Sequence, residues 1–125
     1  MSELDLVWLA CFIDCEGCIG IYPHKGKYLE CILTAGNTDP VLANRSLEIL
    51  RQLAGEDAKS VRLLIKPTGK KPFYEVRVTK QRCLRRILAA IIPHLCGDKK
   101  AKAELMLSTL EQHQPQTPWS KVEVN

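Results

Sequence analysis

The run from Leu9 to Gly17, L-A-C-F-I-D-C-E-G, places Asp14 and Glu16 beside Cys11 and Cys15 at the end of an apolar segment. An acid followed by glycine at such a point delivers a carboxylate to the place where a helix stops and solvent begins. Oxygen ligands of that kind hold divalent cations. A bound cation lowers the pKa of a water and offsets charge developing on a phosphate, which is what phosphodiester hydrolysis requires. Glu16 is the carboxylate so placed. A second ion can stabilise the leaving 3′ oxygen, and one carboxylate per chain is too few for that arrangement.

Other groups point elsewhere and more weakly. Cys15-Glu16-Gly17-Cys18 is formally C-x-x-C and, with Cys11, allows a small zinc or redox protein, but no second C-x-x-C or well-spaced histidine completes four ligands. The histidines His24, His94 and His113 are scattered, and His24 alone sits where a base or phosphate contact is useful. Gly69-Lys70-Lys71 lacks the upstream glycine spacing of a phosphate-binding loop, so no nucleotide triphosphate is implied.

The elements that position these groups follow from periodicity. Leu4 to Asp14 is apolar nearly all round and predicts a helix buried on most faces, capped by Ser2 with Asp5 and stopped at Gly17. Cys18–Pro23 and Lys27–Ala35 alternate around His24-Lys25-Gly26, a hairpin. Asn37-Thr38-Asp39-Pro40 opens a second helix that ends at Gly55. A second strand pair spans Ser60–Lys66 and Phe73–Thr79 across Pro67–Pro72. Val61, Leu63, Ile65, Tyr74, Val76 and Val78 turn inward, and Arg62, Leu64, Lys66, Phe73, Glu75, Arg77 and Thr79 outward. Gln81–Ile92 and Lys99–Gln112 are two further helices. The order is α-β-β-α-β-β-α-α, an α+β domain over residues 1–113 with an extended tail over 114–125.

The chain has 125 residues, 46% of them hydrophobic, which suits a single core. No apolar run approaches the roughly 20 residues that cross a bilayer, and no export leader is visible. The six cysteines fall within helix and strand patterns as small hydrophobes, so a reduced intracellular setting, in the cytoplasm or an organelle, is expected. The net charge is only +4, yet residues 59–102 hold thirteen Lys or Arg against Glu75 and Asp98, a local +11. That split suits a polyanion if the basic residues share a surface with the chemistry.

The nine residues Leu9–Gly17 resemble the motif of the LAGLIDADG homing endonucleases, and Cys18-Ile19-Gly20-Ile21 resembles the start of that family's first strand. The element order over Leu4 to Gln112 is similar too. The resemblance implies an antiparallel four-stranded saddle sheet and two motif helices packed side by side, each giving its last acid to adjacent sites. A chain with one motif achieves this as a homodimer, with Leu9, Cys11, Phe12 and Cys15 at the interface. The family usually has small residues where Cys11 and Cys15 stand, and often Asp where Glu16 stands.

By the same resemblance Glu16 binds metal, joined by the Cys15 backbone, while Asp14 ties the helix end to neighbouring backbone and is a poor third ligand. Asn37 orders water near the scissile phosphate, and Lys99 reaches the active site, with Lys100 or Lys102 as alternatives. The outward strand faces lie in the DNA major groove, which nominates Tyr22, His24, Tyr28, Glu30, Thr34, Arg62, Lys66, Glu75 and Arg77 for base reading. Lys25, Lys27, Lys70 and Lys71 suit phosphates. The expectation is a homodimeric double-strand DNA endonuclease on a long, pseudo-palindromic site, using Mg2+ or Mn2+ with Ca2+ as a non-cleaving substitute. An intron-RNA maturase or a non-cutting DNA-binding regulator of the same fold is the alternative.

Overall fold

The computed structural model describes residues 1–24 and 28–113. Lys25, Lys27, the side chains of His24 and Tyr28, and the tail expected over 114–125 lie outside the described residues. Helix α1 runs Glu3–Glu16. Ser2 accepts from the Asp5 backbone N–H at 3.2 Å, and Asp5 accepts from the Ser2 N–H at 3.4 Å, a reciprocal cap that satisfies two orphan donors. The helix extends two residues beyond the expected Asp14, so Glu16 is its last residue. The Gly17 N–H returns to the Ile13 carbonyl, and a Cβ at position 17 would stand 2.8 Å from that oxygen. The turn into the first strand therefore requires glycine.

Strands β1 (Gly17–His24), β2 (Tyr28–Asn37), β3 (Arg62–Thr68) and β4 (Lys71–Val78) form one antiparallel sheet in the order β1-β2-β4-β3. Ile19 opposes Leu33, which opposes Val78; Ala35 opposes Val76, which opposes Leu63. These rows make the inner face. Helices α2 (Pro40–Ala54), α3 (Gln81–Ile91) and α4 (Asp98–His113) complete the inner layer. Helix α1 packs on β2, α2 and α3, and α4 packs on β1 and α3. Leu9, Ile13, Leu33, Leu84, Ile87, Leu88, Met106 and Leu110 are fully buried between the layers. Each such burial contributes roughly 1.5–3 kcal/mol, which is what holds sheet and helices together.

Two expectations need correction, and one element is new. Ile65, assigned to the core by alternation, is 62% exposed, because β3 is an edge strand and its far end runs past the helices. The six-residue Pro67–Pro72 connection is instead a tight hairpin: Thr68 pairs with Lys71, Gly69 takes φ +58°, and Lys71 is a strand residue. A 3₁₀ turn at Gly55–Ser60, unforeseen from the sequence, follows α2. It buries Asp57 against Lys80 at 3.0 Å, Arg82 at 2.9 Å and Arg86 at 3.5 Å, fastening the turn to the start of α3. No helix among the described residues is long and apolar enough to cross a membrane.

Candidate active site and nucleic-acid interface

Asp14 and Glu16, two residues apart, face different surroundings. Asp14 reaches across the fold, its Oδ2 accepting from the Cys96 N–H at 2.9 Å and its Oδ1 from the Gly97 N–H at 3.4 Å. Those amides lead into α4, whose N-terminal end favours a negative charge. Both oxygens of Asp14 thus accept from backbone amides, a tether from the end of α1 to the start of α4. Lys99 donates to the Asp14 carbonyl at 2.8 Å. It satisfies a carbonyl in the last turn of α1 and supplies the cation that this turn lacks. Of the three lysines considered, Lys99 is the one at the end of α1.

Glu16 is exposed and has no hydrogen bond or ion pair among the described residues. It opens onto a cleft of about 250 Å³ lined by Trp8, Cys11, Phe12, Cys15, Glu16, Asn37 and Leu42. Asn37, the last residue of β2, thus shares a cleft with Glu16 as the resemblance implies. Its Oδ1 accepts from the Asp39 N–H at 2.9 Å, fixing the amide, and its nitrogen has no partner among the described residues. Trp8 and Leu42 were not foreseen. Trp8 stacks on Phe12 with ring centroids 5.2 Å apart, and Arg45 lies 4.8 Å over the Trp8 ring. No sequence spacing signals that grouping, because it joins α1 to α2.

The interface assigned to α1 needs revision. Leu9 is fully buried and Phe12 is 7% exposed, both packed inside this chain's own core. Cys11 and Cys15, the other two residues of that assignment, are exposed, and Leu4 and Val7 lie on the same outward face, 78% and 44% exposed. The Cys11 thiol first, then partial desolvation and the Glu16 and Asp14 carboxylates, push the Cys15 thiol above its ordinary range. Among the described residues no group of three or more His, Cys, Asp or Glu is placed to hold a metal ion.

The outer face of the sheet is free of helices. Register places Cys18, Thr34, Arg77 and Arg62 in one row, Gly36, Glu75 and Leu64 in the next, and Tyr22 opposite Glu30 and His24 opposite Tyr28 at the far end. Lys66 pairs with Phe73. The seven nominated positions whose side chains are described, Tyr22, Glu30, Thr34, Arg62, Lys66, Glu75 and Arg77, thus share this face. Lys70 is exposed in the β3–β4 turn, and Lys71 is exposed on the adjoining strand. Glu75 is nearly buried despite its outward side: Oε1 accepts from Lys66 at 3.0 Å, and Oε2 accepts from Arg77 Nε at 3.2 Å and Nη2 at 2.9 Å. Its burial opposes ionisation, but the two cations outweigh this and hold the carboxyl below its ordinary range.

This arrangement, an antiparallel sheet in the order β1-β2-β4-β3 with helices packed against it, superposes on solved homing-endonuclease structures. I-CvuI, solved with an I-CreI target in the presence of Mg, superposes with a TM-score of 0.64 at 21% identity, covering 87% of this chain and 67% of that one. The chain has the LAGLIDADG fold. I-GzeII, a LAGLIDADG homing endonuclease in complex with its DNA target, gives a TM-score of 0.65 at 16% identity, covering 86% of this chain and 35% of that one. The group I intron-encoded I-CeuI, complexed with DNA, gives 0.66 at 13% identity, covering 88% and 55%. The chain therefore spans one third to two thirds of these LAGLIDADG proteins. No family model matches its sequence, and no curated protein matches it either.

Proposed function

We propose that the protein is a site-specific, divalent-metal-dependent double-strand DNA endonuclease that acts as a homodimer through α1. The observation that carries this reading is the exposed Glu16 carboxylate at the α1–β1 junction, which has no partner among the described residues and shares a cleft with Asn37, while Lys99 fastens the Asp14 carbonyl in the same helical turn.

The donor set fits a hard cation. Glu16 offers two uncommitted oxygens, and the Cys15 carbonyl lies in the last turn of α1, where carbonyls have no partner within the helix and the dipole favours positive charge. When bound there, Mg2+ or Mn2+ supplies an activated water and offsets phosphate charge, and Ca2+ occupies the same oxygens without supporting cleavage. The chain's own residues do the rest. Lys99, pinned to the Asp14 carbonyl, places a cation close to the scissile phosphate. The fixed Asn37 amide orients solvent in the cleft. The exposed Leu4, Val7, Cys11 and Cys15 face brings a second α1 alongside, so that two Glu16 carboxylates serve the two strands.

A substrate selected from random duplex DNA, incubated with Mg2+ and wild-type or Glu16→Gln protein, tests the proposal. Wild type should cut both strands, and the variant should bind as tightly while cutting at least a hundredfold more slowly, as expected for loss of a group acting in the transition state. Sequence-specific binding by wild type without metal-dependent cutting would refute the enzyme and leave a DNA-binding regulator.

A further inference from the structure

The outer face of the sheet carries one nearly buried carboxylate among cations, and DNA binding alone does not account for it. An acid facing a polyanion weakens binding unless it accepts from a base, and Glu75 has both oxygens already engaged by cations, so it acts on those neighbours. Glu75 uses one oxygen for Lys66 and the other for the Nε–Nη2 side of Arg77. The Arg77 side chain remains 32% exposed, and because Glu75 takes Nε and one hydrogen of Nη2, the Nη1 group and the other Nη2 hydrogen are left by Glu75 as an end-on pair of donors. Arg77 stands directly across from Arg62 on one side and Thr34 on the other. Like charges opposite one another on a sheet repel, so without Glu75 the Arg77 side chain would swing away from Arg62. Gly36 lies across from Glu75, where a Cβ would stand 2.5 Å from the Tyr74 carbonyl and 2.7 Å from the Phe73 ring, so no side chain on β2 crowds this position.

We infer that Glu75 is a positioning residue that presents Arg77 as a fixed, end-on fork to a guanine. Two donors held in one plane match the N7 and O6 acceptors on the guanine major-groove edge, and no other base offers that pair. Lys66, a single-point donor held by the other oxygen, contacts the same or the next base pair without that bidentate discrimination. The inference rests on the DNA-binding reading above and adds a base identity and a residue that sets it.

The full chain with Ca2+ present, incubated with randomised duplex and sequenced after retention, gives the base preference at every position. Wild type should select guanine at one position per half-site. Arg77→Ala should flatten that position alone. Glu75→Ala should lower the guanine preference there roughly tenfold, while total affinity for DNA stays level or rises because a negative charge is gone. Glu75→Gln, which keeps one acceptor oxygen, should fall between; it also carries the test if Glu75→Ala does not fold. A purely structural Glu75 would change melting temperature and total binding without changing one base position. Base preferences that respond to Arg77→Ala and not to either Glu75 variant overturn the role of Glu75, and preferences indifferent to Arg77→Ala overturn the guanine assignment. A wild type that selects no sequence overturns the DNA-reading function and this inference with it.

Discussion

The two acids of the α1 end should separate cleanly under mutation, one as a stability residue and one as an activity residue. Asp14→Ala removes two carboxylate hydrogen bonds to backbone amides, at 2.9 and 3.4 Å, and leaves the Cys96 and Gly97 N–H groups to water. A charged hydrogen bond contributes about 1.5–3 kcal/mol. The longer bond contributes less, and the site is partly exposed, so the sum is about 2 kcal/mol including the favourable placement ahead of α4. For a domain of this size that is a fall of roughly 8 °C in melting temperature. Asp14→Asn keeps one acceptor and should lose about half as much. Glu16→Gln touches no partner and should leave the melting temperature within about 1 °C. Urea titration and thermal melts followed by circular dichroism measure all three, and unchanged m-values would show that the folded and unfolded states are otherwise the same. Equal melting temperatures for Asp14→Ala and wild type, or a Glu16→Gln loss as large as that of Asp14→Ala, would refute the assignment of roles.

Acid should destabilise the protein through Asp57 and Glu75. Asp57 is held below its ordinary value of 3.8, first by the hydrogen bond from Lys80, against burial, and then by Arg82; Glu75 lies below its ordinary 4.5. Folded values below unfolded ones mean that this stability is present above those ordinary values and is lost as pH falls through the lowered ones. Stability followed from pH 6 to pH 2 should therefore decline from about pH 4.5, and in Asp57→Asn the decline should be shallower. The cations around Asp57 are 41–53% exposed, so solvent screens the pairs and Asp57→Asn should lower stability at neutral pH only modestly. Val7→Glu, on the exposed side of α1, should convert a dimer into a monomer by sedimentation without lowering the melting temperature of the monomer, and a variant that sediments as wild type would rule out that face.

Strand faces were legible in the sequence because alternation with period two is local: Arg62, Glu75 and Arg77 fall on the side the pattern assigned them. The exception, Ile65, depends on which strand ends up at the edge, and that is decided by pairing between segments far apart in the chain. Helix α1 was legible as a helix and illegible as a surface. With apolar residues all round, nothing in its spacing tells Leu9, buried, from Val7, exposed; the neighbouring helices make that choice. The motif located Glu16 and the Asp14 tether, but the Asp57 cluster and the Arg45–Trp8 contact join residues with no shared pattern.

The tether at the end of α1 also has a temporal consequence. Asp14 and Lys99 are 85 residues apart, and Asp14 and Cys96 are 82 apart. Closing loops of that length carries a large entropic penalty and awaits the elements between them. During synthesis the acid-bearing motif emerges well before the groups that set it in place. The nascent chain therefore carries its acidic end well before the groups that fasten it, which arrive only with the start of α4.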